Sequence, residues 1–75
     1  MRLSEFKRAV SDEFGSREGA ALTKFLVLSE LGDLTSEAAL EAGVPAREVW
    51  IALCRANQVP EQRWYAVGLK PPPIA

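Results

Sequence analysis

Apolar residues along this chain recur at spacings of three and four, and no period-2 alternation is long enough to mark a strand. Phe6, Ala9, Val10 and Phe14 form the first stripe, with Ser4 as the expected N-cap and Gly15 as the stop. Ser16 opens a second helix. Its stripe of Ala21, Leu22, Phe25, Leu26, Leu28 and Leu31 is wide enough to be largely buried, and Gly32 ends it. Thr35 or Ser36 begins a short third helix, with Leu34 placed to staple against Ala39, and Gly43 stops it. A fourth helix runs from about Ala46 to Ala56, entered through Pro45 and closed by Asn57. Pro60 opens one more helical turn, Glu61 to Tyr65, and VGLKPPPIA reads as a polyproline-type tail. The expected architecture is all-α, a compact bundle of four helices plus a short C-terminal helical turn. Residues 1–65 form a single helical domain and residues 66–75 the tail.

Within that pattern Ala39, Gly43, Val44 and Val49 stand at the spacings of a helix-turn-helix core. The alanine lets two helices approach, the glycine turns the chain, and the valines fill the angle between them. At 100° per residue, Val49, Ala52, Leu53 and Ala56 share one face of the fourth helix, leaving Arg47, Trp50, Ile51 and Cys54 on the other. A base-reading face is expected to carry Arg, Lys, Asn or Gln, and this one has a single arginine. So apolar a second face requires cover, either from the first two helices or from another molecule. The exposure of Trp50 distinguishes these readings.

Charge lowers the nucleic-acid reading further. Nine Lys and Arg against ten Asp and Glu give a net charge of −1 with the signs interspersed, without the basic surplus that supplies most affinity for duplex DNA. At 48% hydrophobic and 25% charged, the chain falls with folded rather than disordered proteins. Its apolar runs, Phe25 to Leu28 among them, are far short of the roughly 20 residues that span a bilayer, and the start carries no signal-peptide pattern. One cysteine, Cys54, excludes an intramolecular disulfide, and the cytoplasm is the expected compartment.

Catalytic chemistry has little to work with. There is no histidine, so Cys–His and Ser–His nucleophile pairs cannot be assembled and no Cys and His metal cluster exists. The carboxylate pairs Asp12 with Glu13 and Glu37 with Glu41 read as solvated helix faces. No catalytic, cofactor-binding or metal-ligating residue is expected, and the chain reads as a non-enzyme. Arg63, Trp64 and Tyr65 have the composition of an interface anchor, or of a lid that closes the core.

The segments MRLSEF, DEFG at 12–15, LVLSELG at 26–32, ALEAGV at 39–44, and EVWIALC with VPEQRW resemble a family of small actinobacterial proteins, the domain of unknown function DUF3046. The resemblance spans about residues 1–64. It implies a bacterial cytoplasmic protein and brings no activity, substrate or catalytic residue with it. The resulting expectation is a protein-interaction or regulatory accessory module that meets an unidentified protein partner through Arg47, Trp50, Ile51, Arg55, Arg63, Trp64 and Tyr65. The alternative is a DNA-binding module that docks the fourth helix through Arg47 and Arg55, with a homodimer doubling its basic surface. A third reading is a redox-sensitive dimer joined through Cys54.

Overall fold

A computed structural model describes residues 1–64. Helix α1 covers Leu3–Phe14 and buries Phe6, Ala9 and Val10. It begins one residue before the expected cap, Ser4. Arg2 is the N-cap residue instead, and its backbone N–H donates to Glu5 Oε1 at 2.7 Å, so the acidic side chain of the first turn satisfies the entering chain. Gly15 separates α1 from α2, Ser16–Phe25, with no loop between them. The two helices meet at Gly19, which is buried against α1. A Cβ placed there would lie 2.6 Å from Val10 Cγ1 and 3.1 Å from the Val10 carbonyl oxygen, so only glycine permits this approach.

Helix α2 stops at Phe25 instead of running on to Gly32. Leu26 turns into extended backbone, and strand β1, Val27–Leu28, pairs antiparallel with strand β2, Leu34–Thr35. The register sets Val27 opposite Thr35 and Leu28 opposite Leu34, with one 3₁₀ turn over Ser29–Leu31 inside the connection. Short apolar runs such as LVL suit helix and strand alike, and the tertiary contacts decide between them. Here the strand turns Leu28 into the core while leaving Val27 outside. The expected buried stripe is therefore divided. Leu28 is buried, Leu22, Leu26 and Leu31 are half-buried, and Ala21 and Phe25 face solvent.

Helix α3, Ser36–Glu41, is capped by Thr35, whose hydroxyl accepts the Ala38 N–H at 3.2 Å. Its end is closed by two backbone bonds, Val44 N–H to Ala39 O at 3.0 Å and Gly43 N–H to Leu40 O at 3.1 Å. Gly43 sits at φ +94°, which a β-carbon would make strained. Helix α4, Ala46–Ala56, ends with the same bonding pattern. Val59 N–H reaches Cys54 O at 2.9 Å and Gln58 N–H reaches Arg55 O at 3.1 Å, with Gln58 taking the left-handed position. One last turn, α5, covers Glu61–Trp64.

Val49, Trp50, Ala52, Leu53 and Cys54 of α4 join Phe6, Ala9, Val10, Leu28 and Ala39 in the core. Helices α1, α3 and α5, strand β1 and the 3₁₀ turn all pack on α4, which is the central helix of the fold. The molecule is mostly helical, with the two-stranded pairing as a small addition to it.

Candidate functional site

The second face of α4 is covered by the chain itself. Trp50 is 1% exposed, and its ring meets the ring of Phe14 edge-on, with centroids 6.4 Å apart. Its indole N–H donates to the carbonyl oxygen of Trp64 at 2.8 Å, so the polar edge of the ring is satisfied within the fold. Cys54 beside it is fully buried. Burial pushes its thiol up to about 12, with the nearby Glu13 carboxylate adding to the rise and Arg63 opposing it. So basic and enclosed a thiol gives no accessible sulfur for a dimer bridge.

The expected interaction surface is accordingly split. Trp50 leaves it, because α1 and α5 close over the face where it lies. Ile51 is half-buried, and Arg47 is exposed next to Glu48. Arg55 pairs with Glu30 at 2.9 Å and lies 5.5 Å from the centre of the Trp64 ring. Arg63 pairs with Glu13 through both ends of its guanidinium. Trp64 itself is half-buried, donating its indole N–H to Val59 O at 2.9 Å. The C-terminal turn is thus tied down as a lid over α1 and α4. Tyr65 and the 66–75 tail lie outside the described residues.

These surface ion pairs contribute little stability, but one of them sets the Glu30 carboxylate beside Arg55, one of the two arginines that a DNA contact would use. With five of its residues in the core, α4 presents only a narrow exposed strip, on which Arg47 and Glu48 adjoin.

A different surface remains open. Between α1 and α2, with α3 as a third wall, runs a groove of about 330 Å³. Leu3, Phe6, Val10 and Ala20 contribute apolar lining, Lys7 and Lys24 stand on it as cations, and Glu37 is its one acidic residue. Among the described residues neither lysine makes an ion pair. Leu3, which lines the groove, is 51% exposed, and just beyond Lys24 come Phe25 at 78% and Val27 at 53%.

The sequence carries one sign of this groove. Lys7 and Lys24 stand on the same turns as the apolar stripes of their helices, at i+1 from Phe6 and i−1 from Phe25.

Residues 1–62 match the model of the family described as protein of unknown function, DUF3046, and the chain belongs to that family. No curated protein and no solved structure matches it. No helix among the described residues is long and apolar enough to cross a membrane.

Proposed function

Starting from membership of a family whose description assigns no activity, we propose that the protein is a non-enzymatic interaction module that docks a partner protein through the α1–α2 groove. The observation that carries this reading is an apolar groove left open beside a completed core, with Leu3 half in solvent along it. A groove with apolar lining between helices is a form in which amphipathic segments of partner proteins are recognised. The docking surface moves from the outer face of α4 to the opposite helix pair because the chain's own lid has taken Trp50 and Trp64.

The non-enzymatic part of the proposal rests on the reactive groups. The chain has no histidine, and its one thiol is buried and protonated at neutral pH. A cytoplasmic setting accords with that single reduced cysteine.

The test is site-specific photocrosslinking in the full chain, in its native cells, from position 20 in the groove and position 47 on α4. A discrete adduct from position 20 that disappears on Leu3→Asp, with none from position 47, is the expected result. Adducts from position 47 alone would overturn it. So would retention on duplex DNA that weakens steeply with salt and is lost with Arg47→Ala, which would put the DNA-binding reading in its place.

A further inference from the structure

Resting on that reading, we infer that the groove takes an acidic amphipathic helix of the partner, with apolar anchors on the groove floor and carboxylates against Lys7 and Lys24. Two cations and one anion, Glu37, line the groove, while the chain as a whole carries a net charge of −1. The groove is therefore opposite in sign to the molecule that bears it. The ion pairs found among the described residues, Arg8 with Asp12, Arg55 with Glu30 and Arg63 with Glu13, use none of the groove's charges. A lysine at the edge of an apolar floor lays its methylene stem along that floor and holds its ammonium at the rim, where a carboxylate of an incoming segment arrives.

The shape of the groove favours a helix as occupant. Both long walls are helices, with lining residues at spacings of three and four: Leu3, Phe6 and Val10 on α1, Ala20 and Lys24 on α2. A helix laid along two side-by-side helices sets its own i, i+3 and i+4 anchors into such a trough. A volume of about 330 Å³ suits a few apolar side chains. Gly19 lines the groove where α2 comes close against Val10.

The experiment uses the full chain and two synthetic helical peptides of about 14 residues, long enough to fold on contact. They share leucine anchors and differ only in whether glutamates or lysines flank them. Fluorescence anisotropy at low ionic strength should show the acidic peptide binding at least about tenfold tighter than the basic one, a preference of opposite-charge juxtaposition that fades with salt. Lys7→Glu with Lys24→Glu, both exposed positions, should invert the preference, and Ala20→Trp should abolish binding of either peptide. Circular dichroism of each variant confirms that the helices persist.

Equal binding of the two peptides, no binding of either, or a preference that charge reversal leaves unchanged would overturn the inference. Binding to anionic phosphatidylglycerol vesicles in place of the acidic peptide would overturn it as well, in favour of a membrane surface. A groove-specific crosslink in cells combined with equal peptide binding would leave the docking function standing and remove only its charge selectivity.

Discussion

The α3–α4 corner and the α1–α2 pair are both helix pairs joined at glycine and brought close by small residues, yet one is sealed and the other open. In the corner, Ala39 and Val49 are fully buried, Gly43 turns the chain, and α1, α5 and β1 cover α4 on its remaining sides. In the other pair, Gly19 gives a close contact with Val10, but the trough beside it stays in solvent with Leu3 and two lysines along it. Local signals for close packing are alike in the two places. What stacks on top differs, and that decides which pair is core and which is available surface.

The sharpest way to break this contrast is Trp50→Ala, which empties the covered face of α4. Loss of a fully buried tryptophan is expected to destabilise the fold by about 3–5 kcal/mol, a large share of what so small a domain has, and urea unfolding followed by circular dichroism measures it. Gly19→Ala strikes the other pair. Its β-carbon meets the stiff, β-branched Val10 and the carbonyl behind it, outweighing the usual helix gain, for a net loss of about 1 kcal/mol or more. The loss should shrink in a Val10→Ala background, which a double-mutant cycle reads as coupling between the sites.

Thr35→Ala removes the cap that starts the corner and is expected to lower stability by about 1 kcal/mol in the same assay. Phe25→Ser, at the open end of α2, should change stability by no more than about 0.5 kcal/mol although it deletes an aromatic ring. A large loss there would show that Phe25 is held by the fold and would weaken the contrast.

At neutral pH the smallest effect belongs to Cys54, whose thiol is neutral in both the folded and the unfolded chain. The unfolded thiol ionises near 9 while the folded one is pushed up to about 12. The stability it provides is fully present below pH 9 and declines as pH rises from 9 towards 12, because only the unfolded state then releases its proton. Stability measured across that window should fall less in Cys54→Ala than in the parent chain. Thiol reagents at pH 7 should leave the folded protein unmodified and label it only after denaturation.

Much of the corner was legible in the sequence. A cap at Thr35 or Ser36, Gly43 as stop, Pro45 at the entrance of a helix of about 46–56 and Asn57 at its end are all local chemistry; in the structure Thr35 is the cap, Pro45 is the N-cap residue just before Ala46, and Gly43 and Asn57 stand where expected. The turn after Pro60 is there as well. The break at Phe25 was not legible, because LVLSEL satisfies helical spacing as well as it satisfies a short strand. The α4 part of the candidate surface follows from helix rotation, which correctly pairs Trp50 with Cys54 but carries no information on α1 and α5 lying over them. The groove as a whole is not legible in the sequence because its walls come from α1, α2 and α3, and their approach, including the close contact of Gly19 with Val10, is a tertiary property.

By itself the amino-acid sequence determined the mostly helical class, the corner with its caps, and a composition without histidine and with a single cysteine, since each follows from residues within a few positions of one another or from composition. Tertiary structure alone decided where α2 ends, which face of α4 is covered, and which apolar residues remain in solvent. Burial is a property of what packs above a side chain, and that neighbour comes from distant parts of the chain.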